Sequence, residues 1–216
     1  MIVTIDGPAG AGKSSVSRKL AERIGFQFLD TGAMYRAVTY LALQRNLDLR
    51  CGDVVGLAQG MEIVFQDAEV RLGGEDVSEA IRTADVTRRV SEIADNPNVR
   101  EKMVALQRKI AEGGDYVSEG RDQGTVAFPE AVCKIFLTAS PEERARRRCL
   151  QLSEIGVQAD LKEVLAAQND RDHRDATRLV GPLVKASDAI EVVTDGRSFN
   201  EVVDHLVTLV SQKVGR

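Results

Sequence analysis

Short apolar runs alternate with segments of helical spacing in the first part of the chain. Ile2 to Ile5 is a β-branched run that ends at Asp6-Gly7-Pro8, which predicts a buried strand leading into a loop. A helix is predicted from about Lys13 until Gly25, because apolar residues recur at helical spacing at Val16, Leu20 and Ile24. A second strand over Phe26 to Leu29 and a helix over Ala33 to Gln44 follow. This alternation predicts an α/β fold with a parallel sheet.

The alternation is interrupted after Gly60. The segments 62–66 and 69–72 flank Asp67-Ala68, which is typical of a small antiparallel hairpin. Polar helices are then predicted over 84–94 and 98–111. We interpret 60–95 as a small subdomain inserted into a single α/β domain whose core comprises 1–59, 96–140 and 179–216.

The α/β pattern resumes with three predicted strands, over 116–118, 134–138 and 189–194, and the chain ends in an amphipathic helix over 199–210. A charged helical hairpin, about 141–178, separates the last two strands and has Gly156 near its turn. Because a charged hairpin between two core strands is suited to opening and closing, we expect a mobile lid here.

Composition limits the classes of partner. The net charge of the 216 residues is -4, so no global field draws the chain to nucleic acid or to an anionic membrane. No run approaches the roughly 18 apolar residues that a membrane helix needs, and we expect no signal peptide. The three cysteines follow no metal-binding or disulfide spacing, which favours free thiols in a reducing compartment. We therefore expect a cytoplasmic protein that binds neither nucleic acid nor membranes.

The loop after the first strand carries a phosphate-binding motif. Residues 7–14 match G-x-x-x-x-G-K-[ST], in the strand–loop–helix context that this motif requires. We expect Lys13 to bridge the β- and γ-phosphates of ATP and the Ser14 hydroxyl to bind Mg²⁺. The residues expected to contact the ATP phosphates are Gly7, Pro8, Ala9, Gly10, Ala11, Gly12, Lys13, Ser14 and Ser15.

Two other classes of P-loop protein fit less well. A GTPase switch would need an N-K-x-D segment, and no asparagine in this chain is followed by lysine. Asp53 to Gly56 fits D-x-x-G, but no predicted strand precedes it. A motor ATPase would need an apolar run that ends in Asp-Glu, whereas Val192 to Asp195 lacks the glutamate.

A small-molecule kinase accounts for more of the chain. Transfer of phosphate to an anionic acceptor needs several arginines in one cleft, some of them on a moving lid. Arg144, Arg147 and Arg148 follow a predicted strand at the start of the hairpin. Arg171, Asp175 and Arg178 are spaced i, i+4 and i+7, which places them on one helical face. The alternative is a solvated, salt-bridged helix surface; beside the phosphate loop and a negative net charge, we favour binding of a small anionic ligand.

Three further segments resemble the bacterial-type cytidylate kinases. They are Asp30 to Arg36 (DTGAMYR), Glu119 to Pro129 (EGRDQGTVAFP) and the C-terminal signature from Arg171 to Arg178 with Pro182-Leu183. The resemblance covers essentially the whole chain. It implies a P-loop NTPase-type five-stranded parallel sheet flanked by helices, with an inserted subdomain that binds the nucleoside monophosphate and a helical lid. It also implies a monomer that transfers phosphate from ATP to CMP and dCMP.

The resemblance assigns roles to individual residues. Thr31, Arg100, Asp122 and Arg178 are expected at the cytosine base, and Ser91 and Asp175 at the ribose. Arg36, Arg121 and Arg171 are expected to bind the phosphate of CMP. The residues expected to act in catalysis are Lys13, Arg121, Arg147 and Arg171, with Arg147 closing on the transferring phosphoryl group. Ser14 is expected to bind Mg²⁺, with Glu119 holding a water on the metal.

Two positions depart from the family pattern. Position 123 is glutamine where an apolar residue is common, and position 31 is threonine where serine is common; both bear on fine specificity. A P-loop kinase for another small acceptor, such as UMP, keeps Lys13 and Ser14 and reassigns the arginines. A nucleotide-gated switch without turnover is the alternative from a non-enzymatic class. Neither His173 nor His205 is expected to be catalytic, because a phosphate acceptor needs no general base.

Overall fold

The computed structural model describes residues 1–66, 69–154 and 156–215, so the predicted turn at Asp67-Ala68 lies outside the described residues. In chain order the elements are β1 (Ile2–Asp6), α1 (Lys13–Ile24), β2 (Gln27–Asp30), α2 (Thr31–Gln44), α3 (Asp53–Gly60), β3 (Ile63–Gln66), β4 (Glu69–Leu72), β5 (Glu75–Asp76), α4 (Ala84–Ala94), α5 (Pro97–Ala111), β6 (Tyr116–Glu119), β7 (Cys133–Thr138), α6 (Pro141–Glu154), α7 (Leu161–Thr177), β8 (Ile190–Val193) and α8 (Phe199–Val214). A 3₁₀ turn, Ala80–Arg82, and a π-helical turn, Gln123–Ala127, complete the set.

A five-stranded sheet in the order β2-β6-β1-β7-β8 forms the centre of the fold. Strand β1 pairs in parallel with β6 and with β7, and β7 pairs in parallel with β8. Because the strands are parallel, the loops that follow Asp6, Glu119 and Thr138 begin at the same edge of the sheet. The α/β class predicted from the alternation of elements is confirmed, and this edge positions the phosphate loop.

Two compact units divide the chain. The first consists of residues 1–28 together with the chain from Gly113 onward. In its core, Val3 and Ile5 of β1 pack with Leu20 of α1 and Leu206 of α8, all of them fully buried. Helices α1 and α8 also pack against each other. Burial of these branched side chains, at about 1.5–3 kcal/mol each, fixes the strands that carry the loops.

The second unit spans Leu29–Glu112 and contains the predicted insert, 60–95. It combines helices α2 to α5 with a three-stranded antiparallel sheet in the order β3-β4-β5. Helix α2 packs on α4, and α3 packs on α5. The role of 60–95 as a substrate-binding subdomain, and of 141–178 as a lid, stay predictions.

Helix α3 was not predicted from the sequence. Its segment, DVVGLAQG, contains two glycines and two adjacent valines, which disfavour a helix when considered alone. Val54, Leu57 and Ala58 are buried, so packing against α5 stabilises a helix that local propensity would not. The other predicted elements agree with the structure to within a few residues at each end.

Among the described residues, no helix has both the length and the apolar character needed to cross a bilayer.

Gly7 begins the phosphate loop in a position that only glycine fits. An ideal Cβ at Gly7 would lie 2.0 Å from the carbonyl oxygen of Leu137 in β7, and its φ is +148°. We expect Gly7→Ala to destabilise the protein by more than the roughly 1–3 kcal/mol of backbone strain alone, because the methyl group overlaps sheet backbone. Urea unfolding measures the change.

Gly25→Ala is the matched control. Gly25 also has a positive φ, +72°, but nothing lies within 4 Å of its ideal Cβ. This variant should lose only about 1–2 kcal/mol, from the left-handed backbone. Equal losses in the two variants would show that the close approach to Leu137 is not what requires glycine at position 7.

Candidate active site

The phosphate loop, residues 7–14, bends through two left-handed glycines and ends in a helix. Gly10 has a φ of +77° and Gly12 a φ of +85°. Gly12 is the N-cap of α1 and supplies no side-chain hydrogen bond to the first amides of the helix. These amides and the positive end of the helix are therefore suited to an anion, as the motif predicts.

Lys13 is buried inside this loop. Its Nζ donates to the carbonyl oxygen of Pro8 at 2.7 Å. Burial above all, together with the positive charges of Arg121 and Arg171, lowers the pKa of Lys13 to about 7, against the opposing pull of Glu119 and Asp6. The buried ammonium group lies close to two arginines, and a polyphosphate in the loop would favour its charged form.

Ser14 and Glu119 form an oxygen pair beside the loop. The Ser14 hydroxyl donates to Oε1 of Glu119 at 2.7 Å, although the two residues are 105 positions apart in sequence. A hydroxyl and a carboxylate are hard ligands of the kind that Mg²⁺ prefers. The described residues contain no group of three or more acidic, histidine or cysteine side chains that could hold a metal. This arrangement fits an ion that takes most of its ligands from phosphates and water.

Five of the predicted substrate residues come together in the first unit. Nε of Arg121 donates to Asp175 at 2.9 Å, and Arg171 and Arg178 lie 4.0 and 3.6 Å from the same carboxylate. Arg178 also lies 3.9 Å from Asp122. The structure therefore gathers three arginines around two carboxylates, in a mostly buried cluster with net positive charge. We call Arg121, Asp122, Arg171, Asp175 and Arg178 the acceptor cluster.

Within the acceptor cluster, Asp175 and Arg121 stabilise each other's charged forms. Burial opposes ionisation of Asp175, but the charges of Arg121 and Arg171 and the hydrogen bond from Arg121 lower its pKa below the ordinary value. Burial likewise opposes the charge of Arg121, yet Asp175 raises the pKa of the guanidinium. Asp175 and Arg121 are consequently ionised at neutral pH, and the arginines around Asp175 are preorganised for an anion.

The other predicted substrate residues belong to the second unit. Arg36 donates to Oγ1 of Thr87 at 2.8 Å, and Arg100 donates to the carbonyl oxygen of Ala94 at 3.1 Å. The Arg100 guanidinium also lies over the ring of Tyr35, at 5.5 Å. Thr31 is the first residue of α2, whose N-cap is Asp30, and Ser91 is partly buried on α4. Their roles toward CMP stay predictions.

Two arginines at the start of α6, Arg144 and Arg147, have different hydrogen-bond partners. Arg147 donates to Oγ1 and to the carbonyl oxygen of Thr194, both at 2.8 Å, and to Glu143 at 2.8 Å. Arg144 instead donates to the carbonyl oxygen of Ala9 in the phosphate loop at 2.7 Å. The catalytic role of Arg147 stays a prediction; in the described contacts, the arginine of this run that touches the phosphate loop is Arg144.

Asp6 is a site residue that the sequence did not indicate. Its two carboxylate oxygens accept the backbone N–H groups of Gln123 and Gly124, at 2.9 and 2.8 Å. These bonds hold the π-helical turn that follows Arg121 and Asp122. The sequence offers one signal for Asp6, which is its position at the end of an apolar strand. A carboxylate buried there requires hydrogen-bond donors. The Gln123 side chain accepts from Ser118 at 2.8 Å, so the glutamine that departs from the family pattern ties this turn to β6.

Asp6 gives a pH-dependent prediction. Burial raises the pKa of Asp6 to about 6 from 3.8, against the lowering effect of the two N–H groups. The folded state thus binds the proton more tightly, so this stabilisation is complete below about pH 4 and is lost as pH rises through about 6. We expect the free energy of unfolding of the wild type, relative to Asp6→Asn, to fall by up to roughly 3 kcal/mol between these values. Urea titrations across this range measure it, and a constant difference would contradict the shift.

Comparison with known proteins identifies the family. The sequence model of the family described as cytidylate kinase matches residues 3–212. A cytidylate kinase of Rhodopirellula baltica is 54% identical over 99% of this chain and 94% of its own, and one of Desulfitobacterium hafniense is 47% identical over 98% and 93%. A solved structure of an uncharacterized protein from Eubacterium ventriosum has a TM-score of 0.54 at 14% identity, covering 98% of each chain, and shows the fold alone. The chain belongs to the cytidylate kinase family.

Proposed function

We propose that the protein transfers the γ-phosphoryl group of ATP to CMP, and also to dCMP, giving ADP and the corresponding diphosphate. Membership of the family supports the reaction. The observation that carries the proposal from the structure is the shared electrostatic environment of Lys13 and the acceptor cluster. Arg121 and Arg171 are close enough to lower the pKa of Lys13, so the donor loop and the acceptor cations act on one region.

The donor half of the reaction uses the phosphate loop. Its backbone N–H groups and Lys13 bind the β- and γ-phosphates of ATP. Ser14 and Glu119 would hold Mg²⁺, directly through the hydroxyl and through water at the carboxylate. When bound, the metal neutralises phosphate charge.

The acceptor half uses Arg121 and Arg171, which bind the CMP phosphate. An oxygen of this phosphate attacks the γ-phosphorus of ATP, and the bond from that phosphorus to the β,γ-bridging oxygen breaks. The nucleophile is already an anion near neutral pH, so its approach needs neutralisation of charge and not removal of a proton. No role is proposed for His173 or His205, both of which are exposed.

Asp122 supports the choice of cytosine. It is buried, and its carboxylate can accept a hydrogen bond from the N4 amino group of cytosine. Uracil presents a carbonyl oxygen at this position, which would face the carboxylate acceptor to acceptor. Arg178, beside Asp122, can donate to the N3 and O2 acceptors of cytosine. Thr31 and Arg100 are proposed for the same base.

Asp175 is proposed for the ribose, together with Ser91. Its lowered pKa keeps it an ionised acceptor that hydroxyl groups can donate to. Asp175 is also held by Arg121, so ribose and acceptor phosphate are bound by one connected set of side chains.

We further infer a cytoplasmic location, which the free cysteines support, and a monomer; the monomer stays a prediction of the family resemblance.

The reaction is tested by ADP release from ATP and Mg²⁺ with CMP, dCMP, UMP, AMP and GMP offered separately. We expect fast turnover with CMP and dCMP and much slower turnover with the others. Equal rates with UMP would remove the proposed base contacts but leave the phosphate loop in place. Absence of turnover with every acceptor would contradict the proposed activity.

Substitutions at Asp122 test the base assignment. Asp122→Ala should lower kcat/KM for CMP by about 10- to 100-fold, because a hydrogen bond to a charged group is lost. The ratio of kcat/KM for CMP to that for UMP should fall as a result. Asp122→Asn should favour UMP further, because its amide can donate to the uracil carbonyl. The control Asp204→Ala changes an exposed carboxylate that pairs with Arg23 on the surface, and it should leave kcat/KM unchanged. An unaltered CMP/UMP ratio in both Asp122 variants would remove Asp122 from the base site.

A further inference from the structure

One residue of the phosphate loop is held from both sides by the charged hairpin. The N–H of Ala9 donates to Oδ1 of Asp172 in α7 at 2.9 Å. The carbonyl oxygen of the same residue accepts from Nη1 of Arg144 in α6 at 2.7 Å. Arg144 also donates to the second carboxylate oxygen, Oδ2, of Asp172. Both backbone groups of Ala9 are therefore bound by an ion pair that joins the two helices of the hairpin.

This contact is shielded from water. The side chain of Arg144 is 5% exposed and that of Asp172 is 17% exposed. Gln168 closes the next position, since an ideal Cβ at Gly10 would lie 2.6 Å from its Nε2. Charged hydrogen bonds in such surroundings are stronger and more directional than the same bonds in water. The phosphate loop therefore packs against three defined side chains of the hairpin, those of Arg144, Gln168 and Asp172.

The α7 residues that contact the phosphate loop lie on the same helix face as Asp175 of the acceptor cluster. Gln168, Asp172 and Asp175 are spaced i, i+4 and i+7, and all three are buried or partly buried. Asp172 follows Arg171 directly, and Asp175, one turn later, hydrogen-bonds Arg121. A rigid helix thus connects the backbone of the donor loop with two side chains of the acceptor cluster.

We propose that Asp172 is a positioning residue that couples the occupancy of the donor site to that of the acceptor site. The inference rests on the proposed function and adds to it. ATP phosphates that fix the phosphate loop also fix Ala9, and through Asp172 they fix the position of α7. Arg171 and Asp175 are then held in place for CMP before it binds. By linkage, CMP that orders α7 also favours the loop geometry that binds ATP.

The test is the dissociation constant of CMP, measured by calorimetry without and with saturating magnesium AMP-PNP, a non-hydrolysable analogue of ATP. In the wild type we expect the analogue to tighten CMP binding by about 5-fold or more. In Asp172→Asn an amide N–H group replaces one carboxylate oxygen and faces the guanidinium or the Ala9 N–H group. The tightening should fall below about 2-fold, and the reciprocal effect of CMP on the analogue should fall by the same factor.

Two variants separate coupling from a structural role. Asp170→Asn changes an exposed carboxylate on the same helix and should keep the wild-type tightening. Asp172→Glu keeps the charge on a longer side chain and should recover part of it. A structural ion pair alone would lower the thermal unfolding temperature of Asp172→Asn and leave the tightening intact. If Asp172→Asn does not fold, Arg144→Lys, which keeps the charge but loses the planar fork, should show the same loss of tightening.

The outcomes distinguish the two proposals. Wild-type protein that binds both ligands, with full tightening retained in Asp172→Asn or in its substitute Arg144→Lys, would overturn the inference and leave the proposed function standing. Wild-type protein that binds both ligands independently would overturn the inference in the same way. Absence of CMP binding to the wild type would overturn the proposed function itself, and the inference with it.

Discussion

The site depends on the carboxylate of Asp6, which ends the central strand of the sheet. Its two oxygens bind the amides of Gln123 and Gly124, in the turn that follows β6 and the Arg121-Asp122 pair. The next residue in the chain, Gly7, opens the phosphate loop. One buried group therefore fixes two loops at the same edge of the sheet, and burial of a carboxylate is tolerated there because both oxygens accept hydrogen bonds.

Concentrated positive charge is the second constraint on this edge. A cleft for two phosphorylated ligands needs cations that are desolvated before the ligands arrive, and isolated buried cations are costly. Asp175 and Asp122 offset the cost in the acceptor cluster, and Glu119 lies close enough to act on both Lys13 and Arg121. The carboxylates keep the cations charged and oriented, and the lowered pKa of Lys13 reflects its burial first and the nearby arginines second.

The sequence predicted those features whose determinants are local or carried by a motif. The phosphate loop and its helix follow from eight consecutive residues, and the parallel sheet from the alternation of elements. Asp6 and its amides are 117 and 118 positions apart, and Asp172 is 163 from Ala9, so no local pattern reports these contacts. Helix α3 escaped for a related reason, because burial against α5 outweighs its glycines.

The arginines of α6 show where residue type stops being informative. Arg144 and Arg147 are three positions apart, and the sequence gives both the same charge, length and predicted helix. Three residues turn the helix by about 300° and advance it by about 4.5 Å, so the two side chains point only about 60° apart. They nevertheless contact different neighbours, the backbone of Ala9 for Arg144 and Thr194 for Arg147. Which arginine contacts the phosphate loop is set by the packing of α6 on α7, where Asp172 accepts a hydrogen bond from the Arg144 guanidinium and Gln168 donates one to the Arg144 carbonyl oxygen. In this hairpin the role of each arginine depends on the residues that it contacts, and those contacts are formed only when the chain folds.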